Sequence, residues 1–231
     1  MPVCQRIFFH LLRFSRKRVV KQYIQRNIPR VIQRRFEVAQ KILEYLNKNV
    51  EFIYIDETGF NQNFSPFYSY SKKGEKSIIK TPPKGDNYSV IAAITSKKFL
   101  SYQIFHGSIK ADDFGGFVTK IFTEIPELKN KRLNYVIFLD NASIHRANIL
   151  KPCLRKYHVI YNAPYSPFLN PIEELFGIWK YNFRNLVFDK SKNVVQKITE
   201  SCTNLDLESI SSYFIHSIEF LDDCINKNPI E

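Results

Sequence analysis

Five residues from Tyr135 to Leu139 (Tyr-Val-Ile-Phe-Leu) are apolar or aromatic without a break, and the run stops at Asp140. So short a run with no polar alternation predicts a strand covered on both faces, the kind found inside a parallel sheet. Parallel strands need crossover connections, which commits the chain to an α/β architecture. Open α/β sheets place ligands at the carboxyl ends of their strands. Asp140 stands at such an end, where packing gives no reason for an acid.

Two other stretches carry acids in comparable places. Upstream lies Phe52-Ile-Tyr-Ile-Asp56-Glu57-Thr58, and downstream Asn170-Pro171-Ile172-Glu173-Glu174. Phosphodiester chemistry with metal ions calls for hard oxygen ligands, because Mg²⁺ prefers carboxylates and water. Two ions about 3.5–4 Å apart can activate a nucleophile and stabilise a leaving oxygen. Asp56, Asp140 and Glu173 are the candidates to converge on such a site. Each has a plainer reading. Asp56 suits a strand-end turn, Asp140-Asn141 suits an Asx turn, and Asn170 to Glu173 reads as a capping box with Pro at the first helical position.

The remaining pattern predicts an amphipathic helix over residues 33–46, with Pro29 interrupting any helix before it. A strand follows at 51–58, a turn at 59–63, and two or three more strands at 67–72, 89–95 and 99–107. Lys72-Lys73-Gly74 and Ser96-Lys97-Lys98 suit hairpin turns. Helices are expected at 110–124, 147–157 and 170–185, strands at 135–140 and 158–162, and two helices beyond residue 190. Antiparallel strands first and crossover units later predict a mixed sheet flanked by helices.

Charge is unevenly placed. Residues 1–50 hold twelve Lys or Arg against two Glu, a balance of +10 out of +12 for the whole chain. A basic arm of this kind suits polyanions, nucleic acid first, or else a solvated tail. Arg16, Lys17, Arg18, Lys21, Arg34 and Arg35 are its candidate DNA contacts. Tyr68, Tyr70, Lys72, Lys73 and Lys76 either line DNA on a hairpin or form an ordinary solvated one. Four scattered Cys match no zinc spacing and suit a reducing compartment. No apolar run is long enough to span a bilayer. Asp112-Asp113-Phe114-Gly115 contains a kinase-like Asp-Phe-Gly without the other kinase motifs, so helix capping is its better reading. No phosphate-binding Gly loop points to a nucleotide cofactor. His145 either approaches a reacting phosphate or packs at a helix start. Trp179 belongs to a core or a dimer surface.

Three blocks carry a resemblance. Ile55-Asp56-Glu57-Thr58-Gly59-Phe60, then Leu139-Asp140-Asn141-Ala142-Ser143-Ile144-His145, then Ala163-Pro164-Tyr165-Ser166-Pro167-Phe168-Leu169-Asn170-Pro171-Ile172-Glu173 resemble the blocks of the mariner-like DDE transposases, the bacterial insertion-sequence type most closely. The resemblance covers about residues 50–185. It implies an RNase H-like, five-stranded mixed sheet flanked by helices, with the basic helical arm ahead of it. It implies a triad of Asp56, Asp140 and Glu173 binding two Mg²⁺ or Mn²⁺ ions, with Glu57, Asn141, His145 and Glu174 as auxiliaries and Glu174 as a substitute for Glu173. It also implies cleavage at transposon ends by water and strand transfer by the freed 3′-hydroxyl. The partners implied are transposon-end and target DNA and a second copy of the chain on DNA. The setting is intracellular: cytoplasm or nucleoid in a bacterium, nucleus in a eukaryote. Residues 1–50 read as the remnant of a helix-turn-helix region and its linker, 51–190 as the catalytic domain, and 191–231 as helices packed on it. Phe168 stands where the family usually has Asp, so altered loop contacts are expected there. Two further readings are a catalytically silent DNA binder and a general RNase H-like nuclease.

Overall fold

The computed structural model describes residues 22–81, 83–129, 134–186 and 192–230. Arg16, Lys17, Arg18 and Lys21 lie outside them.

Helix α1 spans Pro29–Asn47. Pro29 opens this helix rather than interrupting it, since the first helical residue has no N–H bond to lose and the ring presets φ. Val31, Val38, Ala39 and Ile42, spaced three or four apart, are its buried stripe. Five strands follow: β1 Glu51–Asn61, β2 Asn87–Thr95, β3 Phe99–His106, β4 Tyr135–Leu139 and β5 His158–Tyr161. They form one sheet in the order β3-β2-β1-β4-β5. β1 pairs antiparallel with β2 and parallel with β4, and β4 pairs parallel with β5. This is the expected mixed, RNase H-like sheet. The turn at Ser96-Lys97-Lys98 closes the β2–β3 hairpin, held by Thr95 N–H donating to Lys98 O at 2.8 Å.

The sheet is covered on both sides because side chains alternate along each strand. Phe52, Tyr54, Ala92, Val136 and Phe138 face one layer, made by α1, α3 (Ile172–Asn185), α4 (Val194–Thr203) and α5 (Ile210–Ile225). Ile53, Ile55, Ile91, Ile137 and Leu139 face the other, made by α2 (Ala111–Glu124) and the turns at residues 143–154. Trp179 is core: it is fully buried, and its indole N–H donates to Ile198 O and Ser201 Oγ, both at 3.0 Å. Val38, Ala39 and Ile42 of α1 and Leu221 and Cys224 of α5 share that core with the sheet.

Four local expectations fail. β1 runs on to Asn61 through the expected turn, because Gly59, Phe60 and Asn61 pair with Ser89, Tyr88 and Asn87. Residues 67–72 form no strand, and Tyr68 and Tyr70 are exposed. Their Tyr/Ser alternation imitates a strand but finds no neighbour to pair with. Lys72-Lys73-Gly74 therefore turns within an irregular segment, held by Glu75 N–H to Lys72 O at 2.9 Å. The helix expected at 147–157 breaks into 3₁₀ turns and one short helix, Lys151–Leu154, in which Pro152 cannot donate. The capping box at Asn170 does not form. Pro171 is the residue that caps α3, and the Asn170 side chain is used elsewhere.

Candidate active site

The β1–β4 register decides how the acids meet. Tyr54 lies opposite Phe138 on parallel strands. Two residues further along each strand, Asp56 comes level with Asp140. Asp56 leaves on the face that carries α3, the same face as Tyr54, while Asp140 follows the end of β4 with its carboxylate beside His145. Glu173 sits in the first turn of α3, which packs against β1.

Asp56 is almost fully buried. Its Oδ1 accepts from Glu57 N–H and its Oδ2 from Asn170 Nδ2, both at 2.8 Å. Burial pushes this carboxyl well above the usual range, and the Glu173 and Asp140 charges push it further. Those two carboxylates therefore stand within electrostatic reach of it. Glu173 is also raised, by burial of its carboxyl and by Asp140, although the residue as a whole is exposed. Lys180, two helical turns on, opposes that rise. Its own ammonium is lowered by burial and supported by Glu173 and Asp56.

Asp140 is set differently. Burial disfavours its charge, but His145 and the Ala142 N–H more than offset this and hold the carboxyl low. Asp140 Oδ1 accepts from Ala142 N–H at 2.8 Å, the Asx turn that Asp140-Asn141 suggested. His145 Nδ1 lies 2.6 Å from the same oxygen, in close charge contact but poorly aligned for a linear hydrogen bond. Its Nε2 meets both Glu57 oxygens, at 3.0 and 3.1 Å. Burial works against the imidazolium, yet the two acids outweigh it and His145 is pushed up to about 10.

Glu174 turns away from this cluster, with its Oε1 2.5 Å from His216 Nδ1 on α5. Asn141 is exposed and lines a groove of about 680 Å³ with Arg30, Arg34, Arg146 and Tyr165. Arg146 also borders an adjoining groove of about 840 Å³ whose rim carries Lys151 and Arg155. Lys72 and Lys73 are exposed on their turn. Arg35, expected on a DNA-facing surface, is instead buried. It lies in phase with Val31, Val38 and Ala39, so the helix carries it inward. Its guanidinium donates to Arg26 O at 2.6 Å and Asn27 Oδ1 at 2.8 Å. Phe168, at the altered loop position, lies under Arg26 and Arg35, 5.0 and 5.9 Å from their guanidiniums, and 4.8 Å from the Phe220 ring.

Two residues here were missed by sequence reasoning. Asn170 was read as a cap, because its bond to Asp56 spans 114 positions. Lys180 carries only a weak sequence signal, its spacing of seven from Glu173, which puts both on one helix face.

The donor set fits a divalent cation. Three hard carboxylates press on one another's charge, and Asn170 Oδ1 is buried with no hydrogen-bond donor facing it. A cation would relieve both conditions. Among the described residues, no three His, Cys, Asp or Glu side chains already stand in a coordinating arrangement.

Residues 51–195 match the DDE superfamily endonuclease family. Three similar solved structures are a pre-cleavage Mos1 transpososome, the Mos1 mariner paired end complex with Mn, and the catalytic domain of Mos1 mariner transposase. The first is 16% identical, with a TM-score of 0.74 over 98% of this chain and 71% of that one. The second is 16% identical, with a TM-score of 0.73 over the same shares. The third is 16% identical, with a TM-score of 0.64 over 93% of this chain and 100% of that one. None of the curated proteins compared matches the chain.

Proposed function

This chain belongs to the DDE superfamily endonuclease family, and on that footing we propose that it cuts DNA at transposon ends and transfers the cut strand to target DNA. The observation that carries the reading is the level placement of Asp56 and Asp140 on adjacent parallel strands, with Glu173 on the helix above them. Asp56 and Asp140 would hold Mg²⁺ or Mn²⁺, and Glu173 would complete a second ion's site. Divalent ions held there supply Lewis acidity to the attacking and leaving oxygens. The Asn170 amide fixes the Asp56 carboxylate through Oδ2. Water breaks the phosphodiester bond and leaves a 3′-hydroxyl. That hydroxyl would then attack a target phosphodiester, forming a new P–O bond as the target's P–O3′ bond breaks and its 3′-oxygen leaves, with no covalent bond from protein to DNA at any stage.

Arg30, Arg34 and Arg146 line the groove beside Asn141 and suit DNA phosphates, so binding should weaken steeply as salt rises. The basic residues 1–50 would extend that contact, residues 51–190 would carry the chemistry, and residues 191–231 would brace it. A second copy would pair with the first on DNA. The work would be done where the DNA is, in a nucleoid or a nucleus. Among the described residues no helix is long and apolar enough to cross a membrane.

The test is cleavage of end-labelled duplex DNA in Mg²⁺ or Mn²⁺ by the wild type and by Asp140→Asn. Metal-dependent nicking that the variant lacks, followed by joined products with a target duplex, is the expected result. Nicking without joining would leave a simple nuclease. DNA binding without nicking would leave a binder.

A further inference from the structure

β1 sends two neighbouring acids to opposite faces of the sheet. Asp56 leaves with Phe52 and Tyr54 towards α3, and Glu57 leaves with Ile53 and Ile55 towards α2. On the α2 side Glu57 meets His145, whose ring is buried and packs 4.4 Å from the Phe114 ring. Across the ring, Nδ1 reaches Asp140 Oδ1. Glu57 and Asp140 are thus linked through one imidazole across the end of β4. Tyr161 of β5 donates its hydroxyl to His145 O at 3.3 Å, and Phe114 covers the ring face, so the imidazole is held from several sides.

We infer that Glu57 and His145 form a clamp that sets which Asp140 oxygen faces the reaction centre. Oδ1 is taken by His145 and by Ala142 N–H, and Oδ2 carries the free lone pairs. β1 then positions both acids, Asp56 directly and Asp140 through the imidazole. His145 and Glu57 are positioning residues, because neither acts except through Asp140. The inference rests on the reading of Asp140 as a metal ligand. Outer partners of metal ligands orient them, and their loss typically costs about 10–100-fold in metal affinity.

The clamp predicts a selectivity as well as an affinity. A carboxylate with one oxygen engaged suits the small, demanding Mg²⁺. One with both oxygens free can chelate the larger and more tolerant Ca²⁺.

The experiment follows free Mn²⁺ by electron paramagnetic resonance as the full chain is added, without DNA, and then competes Mg²⁺ and Ca²⁺ against it. Thermal melts check that each variant folds. His145→Ala should weaken Mn²⁺ binding about 10–100-fold and improve Ca²⁺ relative to Mg²⁺. Glu57→Ala should move both readouts the same way by less, and it keeps the test alive should His145→Ala fail to fold. Glu57→Gln, which still accepts from Nε2, should restore most of the affinity. Asp140→Asn should lose it. If His145→Ala and Glu57→Ala match the wild type in affinity and selectivity while Asp140→Asn does not, the clamp is overturned and the metal-ligand reading stands. If Asp140→Asn also binds as the wild type does, both are overturned.

Discussion

Asp56 within β1 and Asp140 just past the end of the adjacent parallel strand β4 stand at about one level, yet their surroundings act on them in opposite directions. Asp56 is buried among carboxylates, and the N–H bonds it accepts offset this only in part, so its charged form is disfavoured. Asp140 is more open and faces an imidazole, so its charged form is favoured. Position in a sheet gives a carboxylate its neighbours in the ladder. The loops beyond the strand ends decide its charge. Here those loops are residues 141–147, which deliver His145, and residues 162–171, which deliver Asn170.

The largest expected effect treats the two alike. Asp56→Asn and Asp140→Asn should each lower the rate of DNA nicking by about 10²–10³-fold, the scale for losing one electrostatic group from a reaction centre. Single-turnover assays on labelled duplex would show it.

Stability without metal should separate them. Asp56 has a raised folded-state value. Its contribution is therefore favourable at acid pH and is lost as pH rises above the ordinary carboxylate range towards the folded value. At pH 7 Asp56→Asn removes that penalty and should raise Tm by a few degrees, about 2–4 °C for each kcal/mol in a chain of this size. Asp140 has a lowered value, so its contribution is present at neutral pH and lost on acidification through the folded value. Asp140→Asn removes one of the two acids that support the buried His145 and should lower Tm. The loss should be about 1 kcal/mol, because the Asp140 side chain is 43% exposed and screening reduces the usual figure. Equal shifts of one sign in calorimetry would remove the distinction.

Asn170→Ala sharpens the comparison from the Asp56 side. It withdraws a hydrogen bond from a buried carboxylate, which should cost about 1–3 kcal/mol in denaturant titrations at pH 7. The smallest effect is expected at Lys180. Lys180→Gln removes the cation that opposes Glu173, so the acid limb of the nicking rate should move to higher pH.

Much of this was legible in the sequence. The uninterrupted run before Asp140 named an inner parallel strand ending at that acid, whereas Asp56, expected near a strand end, lies in the middle of β1. Burial of Arg35 was also readable, since it shares the helical phase of Val31, Val38 and Ala39. Other features were out of reach for physical reasons. Whether residues 67–72 pair as a strand depends on a neighbour far along the chain, and no local pattern reveals that it is missing. Asn170 offered a good local bond as a helix cap, and a distant carboxylate competed successfully for it. The contact of His145 with Glu57 spans 88 positions and needs α2 to wall off the ring. Phe168 showed only that an acid was absent; its place beneath two guanidiniums depends on α1 and α5 arriving there.

The most direct measurement is a carboxyl ¹³C NMR titration of Asp56 and Asp140 in the full chain, with and without Mg²⁺. Without Mg²⁺, Asp56 should titrate well above the ordinary carboxylate range and Asp140 below it. With Mg²⁺, Asp56 should fall, because a divalent cation replaces the repulsion of its neighbours. Two carboxyls that titrate alike, or an Asp56 that ignores Mg²⁺, would contradict the account.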